Sequence, residues 1–171
     1  MQIGKALGVE VYATGSSVEF LTAMGVEADH VINYKEADVA EALAGKELDC
    51  VFDCVGGKGG WVAAKGAVKR GGKFVTIVGD DSGMARMIPG ILWRKFASNF
   101  GGLEYQIFLT SVNAPDMERL SELVQSGAVK PTLDKREFEL TTASINEMMA
   151  ASMSHRTKGK LVMTVLKEDA G

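Results

Sequence analysis

Small and polar residues follow directly after two apolar stretches near the start of the chain. The stretch VEVYAT is followed by Gly15, Ser16 and Ser17. The stretch HVIN is followed by Tyr34 and Lys35. Hydroxyl groups and a lysine can donate hydrogen bonds to a phosphate, whereas an acidic residue after the first stretch would favour a ribose without one. The pattern favours recognition of a 2′-phosphate. Serines that cap a helix and a tyrosine at a half-buried strand end are the alternative interpretation.

Glycines follow the next two apolar stretches. The stretch DCVFD leads into Cys54, Val55, Gly56 and Gly57, and FVTIV leads into Gly79. A glycine has no side chain, so a ligand can approach its backbone closely. Together with the serines and the tyrosine, these positions suggest a phosphorylated dinucleotide as ligand. Taken singly, the glycines are typical of ordinary turns.

A sheet is needed to bring the ends of these stretches together. Apolar strands alternate with helices of about ten residues, which is typical of βαβ units, a mostly parallel sheet and an α/β fold. In such a sheet ligands bind beyond the carboxyl ends of the strands. We predict strands at 9–14, 30–34, within DCVFDCVGG, at 73–80, 103–112 and 159–165, and helices at 16–25, 37–43, 61–72, 115–127 and 141–153. A further helical stripe, Met84, Met87, Ile88, Ile91 and Leu92, is expected in the core or in a dimer contact.

Composition excludes several classes of protein. The chain has 171 residues, of which 46% are hydrophobic and 24% charged, as in a globular domain. Its net charge of −3 argues against a nucleic-acid partner, and no apolar run has the roughly 18 residues of a membrane span. Cys50 and Cys54 lie about 13 Å apart on one strand, too far for a disulfide. We expect two buried thiols, no targeting segment, and a cytoplasmic protein or one of an organelle stroma or matrix.

The order of the motifs along the chain resembles one superfamily. The segments GVEVYATGSS, LTAMGVEADHVINYKE, LDCVFDCVGG, GGKFVTIVG, ERLSELVQSGAVKPTLDKREFEL and HRTKGKLVM are similar to the medium-chain dehydrogenase/reductase superfamily, and within it to the zinc-independent quinone oxidoreductase branch. The resemblance implies a Rossmann-like doubly wound sheet and the cofactor NADPH. It also implies hydride transfer to a small-molecule quinone, enone or related carbonyl compound.

The resemblance also implies roles for individual residues. Ser16, Ser17 and Tyr34 match residues around the adenosine 2′-phosphate, and Cys54, Val55 and Gly56 match the loop under the adenine-side ribose. Gly79 matches the turn near the nicotinamide-side ribose, Phe108 and Leu109 a pair beside the nicotinamide, and Lys160 a lysine near the cofactor pocket. The notable departure lies at the start, because the first strand and its AxxGxxG turn are expected upstream of Met1. The sheet is therefore expected to be incomplete, and the chain by itself to bind NADPH weakly and to turn over little.

In the family strand order 3-2-1-4-5-6, strand 1 lies in the middle of the sheet. Without it, strands 2 and 4 either close the gap or leave unpaired backbone groups, at a cost of about 1–3 kcal/mol for each buried group. We assign residues 1–128 to a partial dinucleotide-binding domain. Residues 129–171 are assigned to a segment that in the family packs back onto the catalytic domain.

The residues predict neither a catalytic side chain nor a metal site. His30 and His155 are both expected to be solvated. In the resembling family the protein mainly positions the two reactants, so a missing general acid does not argue against hydride transfer. Two alternatives remain: a non-catalytic α/β module that associates as a homodimer or with a full-length relative, and a methyltransferase-like Rossmann domain. The latter usually has an acidic residue after its second strand.

Overall fold

A computed structural model of the chain describes residues 1–77, 84–154 and 156–165. The helices are α1 (Gln2–Ala6), α2 (Val18–Ala23), α3 (Val39–Leu43), α4 (Gly57–Ala67), α5 (Met84–Gly101), α6 (Ala114–Gln125) and α7 (Thr142–Met153), with a 3-10 turn at Ala28–His30. The strands are β1 (Ala13–Thr14), β2 (Val31–Ile32), β3 (Leu48–Asp53), β4 (Val68–Thr76), β5 (Glu104–Ile107), β6 (Phe138–Glu139) and β7 (Met163–Thr164). The prediction of an α/β fold with parallel strands is confirmed.

The strands form three separate parallel sheets among the described residues, in the orders β1-β2, β3-β4-β5 and β6-β7. In the family numbering used above, β1 corresponds to strand 2 and β3 to strand 4. These two strands are not hydrogen-bonded to each other, so they do not close the gap left by strand 1. A cluster of Ile32, Leu43 and Ala67, with Leu48 packed against it, links the first sheet to the second. The two sheets are therefore joined through side chains and helices rather than through a strand ladder.

Four of the predicted strands, at 9–14, 30–34, 103–112 and 159–165, are longer than the observed ones. β1 covers Ala13–Thr14 rather than 9–14, because its partner β2 contributes a ladder of only two residues. β5 ends at Ile107 rather than at 112, and Phe108 N makes one further hydrogen bond to Thr76 O of β4. The predicted end of the helix at 16–25 is confirmed, since Gly25 follows α2 with a φ of 87°, and Gly8 follows α1 in a similar conformation with a φ of 73°.

The boundary between α4 and β4 differs from the prediction. The helix begins at Gly57, ahead of the predicted 61, and ends at Ala67, so residues 68–72 belong to the strand. Val68 pairs with Leu48, and the register then shifts so that Lys73 lies opposite Cys50. A Cβ on Gly72 would lie only 2.8 Å from the carbonyl oxygen of Asp49. Gly72 therefore allows β3 and β4 to approach closely where their register shifts, and it does not end a helix as predicted.

The central sheet is held to its helices by an aromatic cluster. Phe74 is 1% exposed and stacks on Tyr105 with 5.8 Å between ring centroids. The indole of Trp61 meets both rings edge-on, at 5.3 and 5.4 Å. Ile91 of α5 packs against this cluster, as its helical stripe predicts. Ile88 and Leu92 of the same stripe are exposed, and the side chains of Met84 and Met87 lie outside the description.

The strand β3 is less covered than its apolar sequence predicts. A run of apolar residues is typical of a strand with helices on both faces, yet the Phe52 side chain is 73% exposed. The expectation of two buried thiols is also wrong, because Cys50 is half-buried and Cys54 is exposed. Partial burial raises the pKa of the Cys50 thiol and thus favours its protonated form.

The C-terminal segment contacts the start of the chain through one glutamine. The Gln2 side chain accepts a hydrogen bond from Lys130 N at 2.7 Å and donates one to Lys130 O at 3.1 Å. Farther along, Leu133 pairs with Lys160 in an isolated parallel bridge, and Phe138 is fully buried at the start of β6. The assignment of residues 129–171 to a return segment remains a prediction.

We expect the stability of this segment to fall in acid because of Asp134. Its carboxylate accepts hydrogen bonds from Arg136 Nε at 2.7 Å and from Lys158 N at 3.2 Å. The hydrogen bonds from Arg136 hold the pKa of Asp134 far below its usual range in the folded chain. A lowered folded-state pKa stabilises the protein above the unfolded-state pKa and loses that effect as the pH falls.

Urea unfolding of the wild type should therefore show a free energy of unfolding that declines from about pH 5 downward. Asp134→Asn should be less stable at pH 7 and should show a shallower decline over the same range. Parallel pH profiles for the two proteins would contradict this assignment.

Candidate cofactor site

The carboxyl ends of β1 and β2 bring the first group of predicted residues together. Thr14 lies opposite Ile32, and Gly15 N donates to Ile32 O at 3.0 Å. Ser16 is exposed, and Ser17 occupies the N-cap position of α2. The Ser17 side chain makes no capping hydrogen bond. The helix-cap alternative for the hydroxyl is thus not realised, and the serine hydroxyls remain at the strand edge.

Tyr34 and Lys35 lie in a tight turn after β2. The amide of Lys35 donates to Asn33 Oδ1 at 3.2 Å, and the amides of Glu36 and Ala37 both donate to Asn33 O. Both side chains are exposed, so Tyr34 is not the half-buried strand end of the alternative interpretation. Since β1 and β2 are parallel, this phenol and this ammonium group belong to the same sheet edge as the serines.

A glycine turn connects β3 to α4. Gly56 has φ 85° and ψ −173°, a conformation that essentially only glycine adopts, and Gly57 follows with φ 82°. Cys54 and Val55 are exposed, the latter to 82%. The turn therefore presents an exposed apolar side chain and two glycines at the carboxyl edge of the central sheet.

The ends of β4 and β5 continue the same edge. Ile77 N donates to Asp53 O at 3.1 Å, and Phe108 N donates to Thr76 O at 2.9 Å. Phe108 is half exposed and Leu109 is 83% exposed. These hydrogen bonds place the Phe108–Leu109 pair beside the end of β4, whose neighbour β3 carries the glycine turn. Gly79 lies outside the described residues.

The predicted residues therefore fall into three groups. Ser16, Ser17, Tyr34 and Lys35 stand at the end of the first sheet, and Cys54, Val55, Gly56, Phe108 and Leu109 at the end of the second. No hydrogen bond among the described residues joins the first group to the second. Lys160 stands apart from both, since its backbone hydrogen bonds go to Thr132 and Asp134 in the C-terminal segment.

Two polar residues at this edge, Asp53 and Thr76, were not predicted as part of the site. Asp53 is the last residue of β3 and is only 9% exposed, and Thr76 is the last residue of β4 and is fully buried. Thr76 Oγ1 donates to Asp53 Oδ2 at 3.1 Å. The sequence did contain a signal for Asp53, a carboxylate at the end of the apolar run VFD. A carboxylate that is buried at such a position needs hydrogen-bond donors around it, and these donors organise the neighbouring backbone.

His30 is not the solvated residue that we predicted. Its ring stacks on Tyr12 with 4.2 Å between centroids, and Nε2 lies 3.4 Å from Glu10 Oε1. The residue borders a cleft that also includes Lys5, Glu27 and Asp29. These residues precede β1 and β2, so the cleft lies at the amino ends of the strands, opposite the edge where ligands of such sheets bind. His155 lies outside the described residues.

Two further properties bear on the class of site. In the described part of the chain, no three His, Cys, Asp or Glu side chains are grouped so that they could hold a metal ion. A search of the same residues finds no helix with the length and apolarity that crossing a membrane requires.

Comparison with known proteins agrees with this architecture. The model of a family described as zinc-binding dehydrogenase matches residues 26–163. A zinc-type alcohol dehydrogenase-like protein of Schizosaccharomyces pombe is 28% identical over 94% of this chain and 46% of its own length. A mitochondrial NAD(P)H oxidoreductase of Bos taurus is 25% identical over 97% of this chain and 44% of its own.

Solved structures show the same fold. The quinone oxidoreductase of Coxiella burnetii superimposes with a TM-score of 0.73 and 26% identity, covering 96% of this chain and 48% of the other. The chain thus spans about half the length of the relatives that it matches. The family name refers to zinc, but the described residues do not supply a zinc site. Parallel sheets, the row of strand ends and a family match over most of the sequence lead to one conclusion: the chain belongs to the zinc-binding dehydrogenase family of the medium-chain dehydrogenase/reductase superfamily.

Proposed function

We propose that this chain provides the adenosine side and part of the nicotinamide side of an NADPH site in an oxidoreductase. The acceptor of the whole protein would be a quinone, an enone or a related carbonyl compound. The observation that carries the proposal is the set of polar groups at the end of the first sheet. Two serines with no acidic neighbour follow β1, and a tyrosine and a lysine follow β2.

The residues fit the cofactor in chemical type. The hydroxyls of Ser16, Ser17 and Tyr34 and the ammonium group of Lys35 are donors to a 2′-phosphate, and a carboxylate that would repel it is missing from the Gly15–Ser17 stretch. When bound, NADPH supplies the hydride. The protein binds and orients it and keeps water from the transfer.

The second sheet would hold the rest of the cofactor. Cys54, Val55 and Gly56 offer an open backbone and an exposed apolar side chain to the adenine-side ribose. Phe108 and Leu109 offer apolar surface to the nicotinamide ring. Gly79 would lie near the nicotinamide-side ribose, and Lys160 would lie near the cofactor pocket. The names of two relatives, an NAD(P)H oxidoreductase and a quinone oxidoreductase, support both the cofactor class and the acceptor class.

A titration with fragments of the cofactor tests the phosphate assignment. Nitrogen-15 spectra of the 171-residue chain should shift on addition of adenosine 2′,5′-bisphosphate and respond at least about tenfold more weakly to adenosine 5′-monophosphate. Charge-assisted hydrogen bonds contribute about 1.5–3 kcal/mol each, which accounts for such a ratio. Equal affinity for the two fragments would contradict the 2′-phosphate site.

The double variant Ser16→Ala/Ser17→Ala should weaken the bisphosphate about tenfold and leave the monophosphate unchanged, because only the 2′-phosphate loses donors. Ser121→Ala is a suitable control, since that hydroxyl donates to Met117 O on the exposed helix α6. If both variants bind the bisphosphate as the wild type does, the serines are not its ligands.

One observation favours the second candidate function, an association module without catalysis. Trp93, Phe96 and Phe100 form an exposed aromatic row on α5, with ring centroids 6.1 and 5.1 Å apart along it. Exposed apolar patches are typical of contact surfaces. Sedimentation velocity with and without NADPH separates the two candidates: a homodimer that is indifferent to NADPH, together with no cofactor binding, would favour association.

We also propose a cytoplasmic location, or an organelle matrix. The free cysteines support a reducing compartment, and the Bos taurus relative is named as mitochondrial. Cell fractionation followed by immunoblotting would decide between the two compartments.

A further inference from the structure

We infer that Asp53, together with Thr76, is the positioning residue of the glycine turn Cys54–Gly57. The inference rests on the proposed cofactor site, because it assigns Asp53 the task of holding that turn in its ligand-binding shape. Asp53 does not itself face a ligand, since it is 9% exposed beneath the turn.

The carboxylate organises the turn through two backbone groups. Asp53 Oδ1 accepts hydrogen bonds from Val55 N at 3.1 Å and from Gly56 N at 3.0 Å. Both amides are therefore directed inward, and they are not available to cradle a phosphate. The residues that the turn exposes are Cys54 and Val55, and the Val55 side chain is an apolar surface that suits a sugar or a flat ring better than an anion.

The second carboxylate oxygen ties the turn to the neighbouring strand. Asp53 Oδ2 accepts from Thr76 Oγ1, and the two residues are also partners in the β3–β4 register. Thr76 O in turn accepts from Phe108 N. The hydrogen bond between Asp53 and Thr76 thus connects the glycine turn to the end of β4, and the end of β4 is in turn hydrogen-bonded to Phe108.

The first turn of α4 leaves room for this carboxylate. A Cβ on Gly60 would lie 3.3 Å from both Cγ and Oδ1 of Asp53, closer than most such contacts. Glycine at that position lets the helix begin directly above the carboxyl group. The short run of glycines after β3 therefore serves two purposes, the backbone shape of the turn and the space for its anchor.

The partners of Asp53 are neutral donors. In the described part of the chain, no lysine, arginine or histidine forms an ion pair with it. An asparagine can reproduce the geometry, because its Oδ1 accepts from the same two amides and its amide group can donate to the Thr76 hydroxyl. An alanine removes every one of these contacts.

The test measures NADPH binding by nitrogen-15 titration of the wild-type chain and four variants at a temperature well below unfolding. Asp53→Ala should raise the dissociation constant about tenfold, as expected for the loss of two hydrogen bonds that shape the turn. Asp53→Asn should stay within about threefold of the wild type, because it restores the acceptor. Thr76→Val should weaken binding by a factor between these two.

Asp49→Asn is the matched control. Asp49 lies on the same strand but is exposed and pairs with Lys69 at its amino end, so its substitution should leave NADPH affinity unchanged. The spectra also report whether Asp53→Ala is folded outside residues 54–57. If it is not, Thr76→Val decides the matter in its place.

The outcomes separate this inference from the function on which it rests. No response of the wild type to NADPH overturns the cofactor site and the inference with it. A wild type that binds NADPH, with Asp53→Ala folded and equally tight, leaves the site standing and overturns the role of Asp53. Loss of binding in Asp53→Asn as large as in Asp53→Ala also overturns it, because charge rather than hydrogen-bond geometry would then be the cause.

Discussion

Phe74→Ala is expected to lower the free energy of unfolding by about 3–5 kcal/mol, the usual cost of truncating a fully buried phenylalanine. The side chain is 1% exposed and contacts both Trp61 and Tyr105. Its removal leaves a cavity at the centre of the β3-β4-β5 sheet and also breaks the aromatic pairs. Urea unfolding followed by tryptophan fluorescence and circular dichroism gives the measurement, since Trp61 reports on the same cluster.

The control for this prediction is Phe52→Ala. Phe52 belongs to the neighbouring strand β3 and undergoes the same chemical change, but its side chain is 73% exposed. Substitution at an exposed site away from special features usually changes stability by no more than about 0.5 kcal/mol. A similar loss in the two variants would mean that the face of β3 bearing Phe52 is covered in solution and that the described core is incomplete.

Gly159→Ala is expected to release the pairing of the C-terminal segment. A Cβ at this position would lie 2.5 Å from Thr132 O and 3.0 Å from the Leu133 carbonyl carbon, and both of these atoms belong to the backbone. The residue also has a φ of 110°, which side chains rarely permit. Because neither neighbour can turn away as a side chain would, the bridge between Leu133 and Lys160 must open.

Gly127→Ala is the control that separates the cost of a positive φ from the cost of the steric clash at Gly159. Gly127 has a φ of 74°, but a Cβ there would meet nothing within 4 Å. That variant should lose only the conformational term of about 1–2 kcal/mol, and Gly159→Ala should lose more. Hydrogen exchange at Lys160 N, which donates to Thr132 O, should accelerate only in Gly159→Ala. Equal losses and unchanged exchange would show that the segment tolerates the added methyl group.

The local pattern of the sequence predicted much of the fold because its signals act over short distances. Gly8, Gly25 and Gly127 each follow a helix and have a positive φ, a conformation that glycine adopts with the least steric strain. Pro115 stands in the first turn of α6, as predicted for a helix start. The boundary between α4 and β4 was not predicted, because Val68 is drawn into the strand by its pairing with Leu48, twenty residues earlier.

Some features of the candidate site were likewise predictable from the sequence, and others were not. Residue type and position after a strand were enough to select Ser16, Ser17 and Tyr34, since parallel strands end at a common edge. Exposure was not predictable: the Ser17 hydroxyl is unused as a cap, and Tyr34 stands out from the surface. The roles assigned to these residues in cofactor binding remain predictions for the titrations above.

The sequence by itself determined the α/β class, the parallel strands and the family, because apolar periodicity, glycine stops and motif order are properties of neighbouring residues. Only the tertiary structure decided that β1 and β3 do not pair with each other, that Phe52 is exposed, and that Asp53 lies buried beneath the glycine turn. Each of these depends on which distant segments meet. The hydrogen bond between Asp53 and Thr76 joins residues 23 positions apart in the sequence, and it exists only because β3 and β4 are in register at their carboxyl ends.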